Sequence, residues 1–180
     1  MAALERYFSD PLPAALFVDT DILIAYLIES EPHHERTVAF LDRIATQNQT
    51  LLYVSSLAWI EFANVVGRER FRVRLPAEVR RHFRLHRWPD ASVRRIYYQS
   101  LLGALDDLLR QYTWREVHLS AEVRELAVQQ VLDYKLRPHD AVRLASARLA
   151  GAADLASCDE AYRSVDDLLL WNDRIHTPRR

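Results

Sequence analysis

An apolar run that stops abruptly at a carboxylate constrains this chain more than any other stretch. Residues 14–18, Ala-Ala-Leu-Phe-Val, end in Asp19-Thr20-Asp21, and an apolar helical pattern begins at once with Ile22. A short apolar run bounded by a polar stop reads as a buried strand. In an open α/β sheet, ligands bind outside the carboxyl ends of the strands. Asp19 therefore falls where such folds do chemistry. Helix capping also explains a single Asp at that place, so the argument turns on whether other carboxylates reach the same edge.

The rest of the chain alternates in the same way. Asp21 is expected to cap a helix to about residue 29, and Pro32 to start a second to about 45. Strands are expected at 51–54, 116–119 and 153–157, with a last edge strand at 168–171. Helices are expected from Ser55 or Ser56, over a basic stretch at 76–86, from Asp90 to about 112, from Ser120 to about 135, and from Pro138 to Gly151. Asp159 opens a short helix after the fourth strand. Strands alternating with helices predict a parallel α/β sheet with helices on both faces.

The 180 residues suit a single domain, 49% of them apolar and 27% charged. No apolar stretch is long enough to span a bilayer, and the first ten residues lack a signal-peptide pattern. The one cysteine, Cys158, excludes an internal disulfide and fits a reducing cytoplasm. The net charge is −1, yet ten Arg lie between Arg68 and Arg95 against Glu69, Glu78 and Asp90. A solvated basic face and a phosphate-binding surface explain that stretch equally well.

Three more carboxylates stand out further along the chain. Glu61 lies among Leu57, Ala58, Trp59, Ile60, Phe62, Ala63, Val65 and Val66, with Asn64 its one polar companion at i+3. An ionised carboxylate in such surroundings calls for a paired cation or a metal. Asp140 sits in the first turn of its helix, where exposed N–H groups favour an acid. Asp159 has the same option as a cap. Each is ordinary singly, but all four fall at the carboxyl edge of one predicted sheet.

Four motifs in order carry a resemblance: Phe17-Val18-Asp19-Thr20, Ser55 to Glu61, Leu136 to Ala145 with Asp140-Ala141 inside it, and Ser157 to Tyr162. Together they resemble the PIN domain and, in length, the VapC-type toxins of bacterial toxin–antitoxin pairs. The resemblance implies a three-layer α/β/α fold with a central, mainly parallel sheet of four to five strands. It implies a single domain over 1–180 with its core at about 14–172, from which the basic stretch, read as a helical insertion at about 68–95, departs by its length. It assigns Asp19, Glu61, Asp140 and Asp159 as catalytic, metal-binding acids. It also implies a cytoplasmic endoribonuclease yielding 5′-phosphate and 3′-hydroxyl ends, an antitoxin partner and a homodimer. The sequence departs from the family pattern at Asp21, at His139, and at Ser157 and Tyr162, where Thr and Phe are commoner.

Electrostatics points the same way. Two carboxylates about 5 Å apart repel by about 3 kcal/mol at an effective dielectric of about 20. A cluster of four therefore needs a cation, and hard oxygens without a His or Cys pattern favour Mg²⁺ or Mn²⁺. Asp21, Ser157, Thr20, His139 and Asn64 are candidates for substrate contact or for supporting the acids. Asp21 reads equally as a cap, Ser157 as a strand-end cap and His139 as an exposed first-turn residue. His82 and His86 read as a solvated face, Cys158 as packing, and Trp59, Trp88 and Trp171 as packing rather than base stacking.

Two rival readings remain. Asp19-Thr20-Asp21 also resembles the start of haloacid-dehalogenase-type phosphatases, with Asp19 as nucleophile, Asp21 as general acid, Ser55 or Ser56 binding phosphate and Lys135 as basic stabiliser. That reading leaves Glu61 and Asp140 without a role. A non-catalytic PIN-like module binding RNA or protein through its basic stretch is the other.

Overall fold

The computed structural model describes residues 2–72 and 90–173, with side chains of 67–72 left aside. The expected basic helix at 76–86, with His82, His86 and Trp88, lies outside the described residues.

The described chain runs β1 (Leu4–Tyr7), β2 (Ala15–Val18), α1 (Thr20–Leu27), α2 (His34–Gln47), β3 (Leu51–Ser55) and α3 (Ser56–Arg72). It resumes with α4 (Ala91–Leu109), β4 (Trp114–Val117), α5 (Ala121–Tyr134), α6 (Pro138–Leu149), β5 (Asp154–Ala156), a 3-10 turn (Glu160–Ser164) and β6 (Leu169–Asn172). The six strands form one sheet in the order β1-β6-β5-β2-β3-β4, and every neighbouring pair is parallel.

Period-two alternation sorts the strand side chains between two apolar layers. Leu16, Val18, Leu52 and Val54 face a layer that holds Ile22, Phe40, Leu41, Phe62, Leu105 and Leu109 from α1 to α4. Phe17, Leu155 and Leu170 face the other, with Val123 and Ala127 of α5, Ala141, Leu144, Ala145 and Ala147 of α6, and Tyr162. The result is a three-layer α/β/α sandwich. From β2 the chain moves outward to β3 and β4, then returns to place β5 on β2's other side. The order reverses between β2 and β5, which opens a crevice at their carboxyl ends.

Local signals explain the helix ends. Asp90 Oδ1 accepts from the backbone N–H groups of Ser92 (2.8 Å) and Val93 (3.2 Å) and caps α4. Ser120 Oγ accepts from Val123 N (3.3 Å) and caps α5. Pro138 occupies the first turn of α6, where its missing N–H costs nothing. Gly151 follows with φ +73°, which a side chain would strain.

Several expectations are corrected. Asp19, not Asp21, caps α1, because the strand hands over to the helix two residues earlier than expected. The sheet has six strands instead of four or five. The added one, β1, covers β6, so β6 is an interior strand rather than an edge. β4 lies two residues earlier than expected, pairing Leu52 with Trp114 and Ser55 with Val117. Glu61 is half-buried, between the buried Phe62 and Ile60, which is 64% exposed. Among the described residues, no helix is long and apolar enough to cross a membrane.

Candidate metal centre

Asp19 follows the last residue of β2. Its backbone N–H continues the sheet by donating to Ala156 O of β5 at 3.0 Å. Its carboxylate is buried, and Oδ1 accepts from Thr20 N at 2.6 Å as the helix cap. Oδ2 accepts from Ser157 Oγ at 3.0 Å and from the Tyr162 hydroxyl at 3.3 Å. Burial raises the Asp19 pKa, and the Arg143 charge opposes the rise.

Arg143 holds the centre. Its Nε lies 2.9 Å from Asp19 Oδ1 and its Nη1 2.8 Å from Asp140 Oδ1. Its Nη2 pairs with Glu61 Oε2, which also accepts from Thr20 Oγ1 at 2.7 Å. Acids from the end of β2, from α3 and from α6 thus surround one guanidinium. Burial works against the Arg143 charge, but the Asp19 and Glu61 carboxylates outweigh it and raise the pKa.

Asp140 is buried one turn before Arg143, and its pKa is raised by that burial against the nearby positive charges of His139 and Arg143. Asp159 is close enough for its charge to push the Asp140 pKa up further. It caps the 3-10 turn through Ala161 N at 2.9 Å. Asp21 stands behind Asp19, with Oδ2 3.0 Å from Ser157 Oγ and accepting from Cys158 N at 2.8 Å. Burial, then the Asp19 charge, pushes the Asp21 pKa up to about 8.

Ser157 Oγ stands between two carboxylates, 3.0 Å from Asp19 Oδ2 and 3.0 Å from Asp21 Oδ2, and accepts from Asp159 N at 3.1 Å. Its one proton serves one carboxylate at a time.

The other candidates are placed as follows. His139 is exposed, with Nε2 3.8 Å from Asp140 Oδ1. Asn64 turns away from the acids, is exposed, and accepts from the Tyr98 hydroxyl at 3.4 Å. Lys135 is exposed in the left-handed position closing α5, which leaves the phosphatase reading without its cation. Trp171 packs in the core and donates from Nε1 to Asp154 at 2.6 Å.

The donor set fits a hard divalent cation. All its atoms are carboxylate oxygens, and a buried one, Asp140 Oδ2, has no hydrogen-bond partner. Among the described residues, the group whose ligand atoms lie close enough together to hold a metal is a different one: those of His33, Cys158 and Asp173 lie within 4.8 Å of one another. There His33 Nδ1 is 2.5 Å from Asp173 Oδ2, and Arg36 Nη1 is 3.3 Å from the same oxygen. The sequence offers no signal for this group, whose members come from three distant segments. Arg143 had a partial signal, as a cation at i+3 from Asp140.

A family model for the PIN domain matches residues 16–168. No curated protein matches this sequence. Among solved structures, a toxin–antitoxin complex from Klebsiella pneumoniae is 21% identical, with a TM-score of 0.51 over 86% of this chain and 95% of that one. FitAcB from Neisseria gonorrhoeae is 16% identical, with a TM-score of 0.55 over 88% and 97%. The sarcin-ricin loop cleaving toxin VapC20 of Mycobacterium tuberculosis is 14% identical, with a TM-score of 0.53 over 84% and 95%. At these identities the likeness is one of fold.

Proposed function

The chain belongs to the PIN-domain family, and from that premise we propose that it is a divalent-metal-dependent endoribonuclease, the toxin of a type II toxin–antitoxin pair. One observation carries the proposal: Asp19, Glu61 and Asp140 meet from three elements round a single positive centre, with Asp159 beside them. In this reading those four carboxylates hold Mg²⁺ or Mn²⁺. The bound ion supplies an acidified water and neutralises charge developing at the phosphorus.

The chain's own residues do the positioning. Ser157 and Tyr162 fix Oδ2 of Asp19, and Thr20 fixes Glu61. Hydrolysis of an RNA phosphodiester then leaves 5′-phosphate and 3′-hydroxyl ends. The fold likeness to toxins solved with antitoxins, and to one that cleaves the sarcin-ricin loop, supports the class. Val128 and Leu132, exposed on α5, offer an apolar face to a second copy.

The test is cleavage of a mixed RNA pool by the purified chain with Mg²⁺ or Mn²⁺, with EDTA, and with Asp140→Asn in parallel. Cleavage is expected only with metal, and to fall by about a hundredfold or more in the variant, as when one preorganised electrostatic group is removed from a site. Equal cleavage by Asp140→Asn overturns the assignment. A second reading, a PIN-like binding module without catalysis, draws on the Arg143 guanidinium already balancing the acids. No cleavage together with no metal binding favours it.

A further inference from the structure

Three carboxylates that meet need a positive charge between them, and this chain supplies one itself. Arg143 sends a different nitrogen to each of Asp19, Glu61 and Asp140, and its side chain is only 12% exposed. We infer that Arg143 is an internal counter-cation, occupying the carboxylate centre in the metal-free protein and giving it up when a divalent cation binds. The inference rests on the reading of these acids as metal ligands; it does not depend on RNA cleavage.

The occupant fits imperfectly, which makes it displaceable. The Nε of Arg143 is buried and close to Asp19, yet no acceptor lies in line with its N–H, and Asp140 Oδ2 is buried beside it without a partner. Buried polar groups left unsatisfied are costly. A small divalent ion takes carboxylate oxygens from any direction round it, whereas a guanidinium offers donors only in one plane. A divalent ion would draw on the same three carboxylates, Asp19, Glu61 and Asp140, that Arg143 pairs with. Arg143 stands on α6 three residues from Asp140, so its release calls for turning its own side chain out of the centre.

Such a device holds the empty site together. Without Arg143, three neighbouring carboxylates would repel one another in a partly dry setting. With it, apparent metal affinity is reduced, because each binding event must first strip the guanidinium away.

The test compares Mn²⁺ binding by isothermal titration calorimetry to the full chain and to Arg143→Leu, with thermal melts in EDTA and in saturating Mn²⁺. The variant is expected to bind Mn²⁺ at least about tenfold more tightly, since releasing a charged hydrogen bond costs about one factor of ten or more. It should melt lower than the parent in EDTA and regain the difference in Mn²⁺. Equal or weaker binding by a folded Arg143→Leu overturns the inference, as does an unchanged melt in EDTA.

Should Arg143→Leu fail to fold, the parent chain decides. With ¹⁵N-arginine labelling, the Arg143 Nε–H resonance, assigned by its loss in Arg143→Lys, is expected to be protected from solvent exchange in EDTA and exposed at saturating Mg²⁺. Protection unchanged in Mg²⁺ overturns it. Tighter binding by the variant with no RNA cleavage by either protein upholds this inference and removes the nuclease. Metal-dependent cleavage by the parent with unchanged binding in the variant does the reverse.

Discussion

Ser157 shows how finely the crevice depends on single atoms. Its hydroxyl touches Asp19, Asp21 and the Asp159 backbone, and its side chain is fully buried. Ser157→Ala leaves a buried carboxylate short of a donor, so we expect it to cost about 1–3 kcal/mol, read by urea unfolding in EDTA. A loss below about 0.5 kcal/mol, the range of ordinary surface changes, would show that the hydroxyl is not holding these acids. At this scale the sequence was legible where position alone placed a residue. Asp19 and Asp159 follow strands, Glu61 lies in the helix after β3 and Asp140 opens α6, positions from which the sequence alone suggests one edge. Arg143 was not legible in its role: its link to Asp140 is local, but Glu61 lies 82 residues away. Asn64 misled because spacing of i+3 places two side chains near one another without saying that both face the same neighbour.

Among the elements, α6 carries both an acid and the cation, so its seat on the sheet sets the site. Ala141, Ala145 and Ala147 are fully buried there, packed with Phe17 and Leu155 of the strands. Small side chains let the helix lie close. Ala147→Leu, on the side away from the crevice mouth, adds atoms to a filled layer, and we expect a loss of about 1–3 kcal/mol, read by chemical unfolding. An unchanged midpoint would mean that the layer has room. The start of α6 was legible from Pro138 and its end from Gly151, and the caps Asp90 and Ser120 were equally plain. Strand β1 was not. Leu4–Tyr7 alternates exposed and half-buried residues, so an edge strand bonded on one side carries no apolar run to betray it. Without a sign of β1, the sequence makes β6 the edge.

For the molecule as a whole, stability should depend on pH well away from the crevice. Tyr112, just after α4, is raised above the usual phenol range by burial, then by Tyr26 and Asp42. The folded chain holds its proton where the unfolded chain releases it. That contribution is complete below about pH 10, the ordinary phenol value, and is lost as pH rises above it. We expect stability to fall there by up to about 1.4 kcal/mol per pH unit from this group, and Tyr112→Phe to flatten the fall, read by urea unfolding between pH 9 and 11 on the order of a few points. An identical slope in the variant would place the alkaline loss elsewhere.

The strand order has a further consequence, for a chain that is made from one end. Asp19 leaves the ribosome early, whereas Ser157 and Asp159, which complete its surroundings, come some 140 residues later. β1 is earlier still, yet its one partner is β6. Closing so long a loop is slow and brings reward only at its end. A nascent chain halted anywhere before β5 has its first acid and no working crevice, so translation itself delays whatever this site does until β5 and the turn after it have emerged.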